Sequence, residues 1–123
     1  MRPPLALDLL ALPKAVPEVR RAVREHLGVP CQDVQLCVSE LLANVIRHVG
    51  EGTPVSVRMH GMGSGRVRVE VTDGEPHAWL VVRHADAEEE SGRGLLLLDS
   101  VALRWGVRQE PYGKTVWCEV PVS

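Results

Sequence analysis

The sequence predicts an α/β (α+β) fold, a two-layer sandwich in which a mostly antiparallel mixed sheet carries helices on one face. Three observations predict it. Two segments in the first half place apolar residues at helical spacing. Later segments alternate apolar and polar residues and come in pairs joined by short turns rich in glycine or proline. Sheets with one apolar face need a cover, and helices with one apolar stripe provide it.

The elements follow in order. Leu5 to Leu12 is apolar and reads as an edge strand. From Lys14 to Leu27, Val16, Val19, Val23 and Leu27 recur at helical spacing, while Arg20, Arg21 and Arg24 turn away. Pro17 falls in the first turn, where its missing N–H costs nothing, and Gly28-Val29-Pro30 stops the helix. A second helix runs from Gln32 to Val49 and closes at Gly50. Val55, Val57 and Met59 alternate on one strand, and Val67, Val69 and Val71 on the next, with Gly61 to Gly65 as the hairpin loop. Residues 74–94 show no periodic element and include the acidic run Glu88-Glu89-Glu90. A short helix from Leu95 to Leu103 precedes two last strands, Arg104 to Arg108 and Thr115 to Val120, turned by Pro111-Tyr112-Gly113.

Composition narrows the function. The chain has 123 residues, 45% hydrophobic and 24% charged, the balance of one globular domain over 1–123. No run approaches the ~18 apolar residues of a membrane helix, and no signal peptide is evident, so a cytoplasmic location is expected. With net charge −2 and no basic stripe, direct nucleic-acid binding is not expected. Cys31, Cys37 and Cys118 are odd in number and lack metal-ligand spacing, so reduced, buried thiols are the expectation.

The second helix carries the chemistry. Asp33, Cys37, Glu40, Asn44, Arg47 and His48 fall within an arc of about 100° on an otherwise apolar helix. Glu40, Asn44 and His48 form a column of carboxylate, amide and imidazole at successive turns. Such a column suits activation of a hydroxyl, coordination of a hard cation and hydrogen bonding to phosphate. A solvated stripe is the ordinary alternative. Three further segments bear on that choice, each unremarkable alone. Val69 to Asp73 is a strand ending in Asp73-Gly74, whose carboxylate can accept from an exocyclic amine, though Asp-Gly is also a common turn. Gly92-Arg93-Gly94 leads into Leu95, a glycine-rich approach to a helix N-terminus that suits phosphate. Gly113-Lys114-Thr115 opens the last strand, with a hydroxyl at Thr115.

In this order the segments resemble the N box and the three glycine-containing boxes of the histidine-kinase-like (GHKL, or Bergerat) ATPases. The run from Ser39 to His48 looks like the anti-sigma factor serine kinase branch, the RsbW and SpoIIAB proteins. Ser91 to Leu97, Trp105-Gly106-Val107 and Gly113 to Trp117 strengthen the match, which spans Leu12 to Val120. The resemblance implies the Bergerat ATP-binding fold with ATP and Mg²⁺. It implies Glu40 as general base toward a substrate serine and Asn44 as Mg²⁺ ligand. Asp73 would accept from adenine with Gly74 beside it and Thr115 in support, while Gly92, Arg93, Gly94 and Leu95 would surround the phosphates. Arg47 and His48 would line the same groove. The implied partners are a sigma factor and an anti-anti-sigma protein of the STAS type, with the chain itself a homodimer. The fuller family pattern after the aspartate is Asp-x-Gly-x-Gly, whereas here Asp73-Gly74-Glu75-Pro76-His77 lacks both later glycines. The 17 residues from Glu75 to Ser91 leave little room for a long lid. An ATP-dependent protein serine/threonine kinase is therefore the leading reading. A non-catalytic or weakly ATP-binding regulatory module of the same fold is the alternative.

Overall fold

The structure, a computed structural model, describes residues 4–74, 98 and 100–122. Strand β1 (Leu5–Leu10) is followed by helices α1 (Ala15–Leu27) and α2 (Gln32–His48), the hairpin β2 (Pro54–Gly63) and β3 (Arg66–Asp73), and the hairpin β4 (Arg104–Glu110) and β5 (Gly113–Pro121). The strands form one sheet in the order β1-β2-β3-β5-β4, every neighbouring pair antiparallel. The expected architecture is thus observed, with β1 at one edge.

Alternation divides the sheet. Val55, Val57 and Met59 on β2, Val67, Val69 and Val71 on β3, and Val116, Cys118 and Val120 on β5 are all buried and share one face. Helix α2 covers that face over β3 and β5, and α1 packs beside it against α2 and β1. Val34, Val38, Leu41, Leu42 and Val45 of α2 are at most 1% exposed. Burying each of these side chains is worth roughly 1.5–3 kcal/mol, which makes α2 the main contributor to the core.

Local chemistry sets the ends of the helices. Gly28, at φ 67°, closes α1 in the left-handed conformation, and its N–H bonds Arg24 O. After α2, the N–H groups of Val49 and Gly50 both return to Val45 O, and the Thr53 hydroxyl donates to Gly50 O at 2.6 Å. Arg20 ties the two helices by donating to Ser39 Oγ at 2.7 Å.

Three boundaries differ from the sequence expectation. Strand β2 continues through Gly61 to Gly63 with a register shift there, so the hairpin turn is only Ser64-Gly65, both at positive φ. Paired left-handed residues match the twist of the flanking strands, which is why the strand persists through the glycines. The helical turn containing Leu98 ends at Val101 and not at Leu103. The Leu103 N–H is already taken by Glu119 O of β5, which draws the chain into the sheet. The last hairpin is also tighter than expected, with Glu110 opposite Gly113.

Among the described residues the opposite face of the sheet is a layer of charge. Arg68 pairs with Glu70 at 3.0 Å and Glu119 at 2.9 Å and lies 4.1 Å from the centroid of the Trp117 ring. Trp117 lies flat over Gly106, where an added Cβ would come within 2.9 Å of the ring, so this strand position needs a glycine.

Candidate functional site

The site forms where the second half of α2 reaches the end of the sheet marked by Asp73. Two connections establish that direction. Cys37 on α2 lies beside Cys118 on β5, and the neighbouring thiol together with burial holds the Cys118 thiol far above the usual range. Seventeen residues after Cys37, Pro54 starts β2, and the adjacent Val55 lies in register with Asp73. The chain leaving α2 therefore returns at the Asp73 end of the sheet.

The stripe on α2 is not a solvated one. Cys37 and Asn44 are fully buried, Glu40 and His48 are half-buried, and Asp33 and Arg47 lie exposed at its margin. Arg47 Nη2 donates to Asn44 Oδ1 at 2.8 Å and stands 3.9 Å from Glu40 Oε2. Asn44 Nδ2 is buried with no hydrogen-bond partner among the described residues. An unpaired buried amide costs about 1–3 kcal/mol, a cost the fold carries where a ligand can use the group. Asn44 Oδ1 is aimed at a cationic group and one turn separates it from a carboxylate, so the donors here suit a hard cation.

Asp73, the last residue of β3, is in register with Lys114 of β5. Lys114 Nζ lies 3.2 Å from Asp73 Oδ1 and 3.1 Å from Oδ2, and both side chains have 0% exposure. The strands meet closely here, because a Cβ on Gly113 would collide with the carbonyl oxygen of Asp73. Gly74 follows, exposed. A cleft of about 540 Å³ borders Asp73, Gly74 and Tyr112, but no residue of α2 lines it, so it is not the groove beneath the helix.

Thr115 requires a correction. It does not face the side of Asp73's carboxylate. Its hydroxyl lies 2.7 Å from that of Thr72, on the charged face of the sheet. Successive residues of a strand point to opposite faces, so Lys114, and not Thr115, shares a face with Val116, Cys118 and Asp73. The signal for Lys114 was present in the sequence, since it continues the alternation of Val116, Cys118 and Val120. Gly92, Arg93, Gly94 and Leu95 lie outside the described residues.

A family model for the histidine kinase-like ATPase domain matches residues 9–119. The chain belongs to that family. An uncharacterised protein of Streptomyces coelicolor A3(2) is 47% identical over 83 residues, covering 67% of this chain and 79% of that protein. The crystal structure of the RsbU and RsbW domains of Rv1364c from Mycobacterium tuberculosis superposes with a TM-score of 0.71 at 22% identity. That match covers 98% of this chain and 32% of the other, so the chain spans about a third of that longer protein. The fold of this family member is therefore RsbW-like. Among its described residues no helix is long and apolar enough to cross a membrane.

The position of Thr115 has a direct consequence. Thr115→Val deletes its hydrogen bond to Thr72 and should lower stability by about 0.5–1.5 kcal/mol. Nucleotide affinity should stay the same, because the hydroxyl is on the far face. Urea denaturation and calorimetric titration with Mg²⁺-ATP check the two halves, and a large loss of affinity would return Thr115 to the site.

Proposed function

We propose that this chain is an ATP-binding anti-sigma factor and protein serine kinase, which phosphorylates an anti-anti-sigma protein of the STAS type and so regulates a sigma factor. The observation that carries the reading is the buried, half-paired amide of Asn44 one helical turn from the Glu40 carboxylate. Membership of the ATPase family and likeness to a structure containing an RsbW domain support it.

Asn44 Oδ1 would hold Mg²⁺, and the ion supplies charge neutralisation to the phosphates when bound. Asp73 would receive the adenine amine, and Arg47 and His48 would line the groove. Gly92, Arg93, Gly94 and Leu95 keep the phosphate-contacting part of the reading. In the transfer, the serine oxygen forms a bond to the γ-phosphorus as the bond from that phosphorus to the β–γ bridging oxygen breaks. ADP leaves with the electron pair, and Glu40 takes the hydroxyl proton. Positioning and charge neutralisation account for most of such a reaction. The same reading includes a cytoplasmic homodimer.

A second reading, a regulatory module without transfer activity, draws on one specific observation. The carboxylate meant for adenine is already paired with Lys114.

Calorimetry tests the nucleotide site. The protein should bind ATP in a Mg²⁺-dependent manner, and Asn44→Ala should weaken binding about tenfold or more, since hydrogen bonds to charged groups are worth about 1.5–3 kcal/mol. Equal affinity in Asn44→Ala and wild type would remove Asn44 from the site.

A further inference from the structure

We infer that Lys114 is an internal counter-ion that occupies Asp73 until a nucleobase displaces it, and that it thereby sets the affinity and base selectivity of the site. This rests on the nucleotide reading above. The ammonium donates to Asp73 Oδ1 at 3.2 Å and lies 3.1 Å from Oδ2, with neither side chain exposed. Any amine donating to Asp73 must therefore approach a carboxylate whose charge Lys114 already balances.

The position cannot relax cheaply. Register places Lys114 directly across from Asp73, and the close approach of Gly113 to the Asp73 backbone holds the start of β5 in place. An ammonium that leaves its carboxylate inside the protein loses a charge-assisted hydrogen bond without regaining water. The contrast with Arg47 is informative. Arg47 covers Asn44 Oδ1 in a similar way, but its side chain is 47% exposed and can swing into solvent. The Lys114 side chain is 0% exposed, so its separation from Asp73 is confined to a minor fraction of unbound molecules.

A binding-competent state populated only in part raises the apparent dissociation constant by the inverse of that fraction. Lys114 reduces the fraction of molecules in which Asp73 is available. An exocyclic amine then gains little in the wild-type protein, because its new hydrogen bond replaces a stronger one. Selectivity between adenine and a purine lacking the amine should accordingly be small.

The test titrates wild type, Lys114→Met and Lys114→Gln with Mg²⁺-ATP and with the Mg²⁺ complex of purine riboside triphosphate, which lacks the amine. Circular dichroism confirms folding of each variant. Lys114→Gln keeps a neutral donor to Asp73 and serves if Lys114→Met does not fold. Lys114→Met should bind ATP about tenfold more tightly, the change expected if one molecule in ten is competent in the wild type. Lys114→Gln should show a smaller gain, and neither should gain for the purine analogue. Binding by a variant where wild type shows none would support the inference equally. If wild type binds ATP while the folded variants bind it no better, or gain equally for both nucleotides, the inference is overturned and the nucleotide reading stands. If no folded protein binds either nucleotide, both are overturned.

Discussion

Glu40→Gln should abolish most phosphate transfer to a partner serine while the protein stays folded and keeps most of its ATP affinity. Glu40 is well placed for such a separation of effects. Its side chain is 25% exposed, and its one ion pair among the described residues, to Arg47 at 3.9 Å, is long and half in water. Pairs of that kind contribute about 0–1 kcal/mol, so the amide should lower the melting temperature little. Asn44, which would hold the cation, is untouched. General-base assistance, by contrast, is worth about 10²–10⁴-fold in rate. The measurement pairs thermal melting and calorimetry with transfer of radiolabelled phosphate to an anti-anti-sigma protein. Parallel loss of stability and nucleotide binding would make Glu40 a structural residue. A wild-type protein that binds ATP and transfers nothing to such partners would favour the regulatory module.

The buried Asp73–Lys114 ion pair should dominate stability. Lys114→Met alone should cost about 3–5 kcal/mol, because it removes the ammonium paired with an Asp73 carboxylate at 0% exposure. A typical domain has only about 5–15 kcal/mol in total, so the single variant should unfold at much lower urea. Combining Lys114→Met with Asp73→Leu should recover most of the loss, since two apolar side chains can replace a buried pair at little net cost. Urea midpoints for the two single variants and the double variant measure the coupling. Additive losses would show that the carboxylate and ammonium do not stabilise each other through their contact.

Much of the fold was legible because it depends on periodicity. The spacing of Val16, Val19, Val23 and Leu27 predicts one helix, in which Val19 and Val23 are buried and Val16 and Leu27 half-buried. The nearly all-apolar second helix buries Val34, Val38, Leu41 and Val45. Alternation at Val55, Val57 and Met59 and at Val67, Val69 and Val71 predicts strands whose common face meets those helices. Glycine was less informative. Gly61 and Gly63 read as loop, but they continue β2 because the left-handed Ser64-Gly65 turn suits the hairpin twist. The candidate site was legible in part. The stripe on α2 left open whether its polar groups are solvated, and the structure buries Asn44 beside Glu40 and Arg47.

By itself the sequence determined the two layers, the apolar faces, the polar stripe on α2 and the family, because each depends on residue type at regular local spacing. Only the tertiary structure decided what each polar group meets. Register between β3 and β5 places Asp73 beside Lys114, and strand parity sends Thr115 to the opposite face with Thr72. Register depends on where two distant segments stop and how their turns close, and a shift of one residue exchanges the faces. The pairing of Asp73 with Lys114 was therefore settled only when the strands paired.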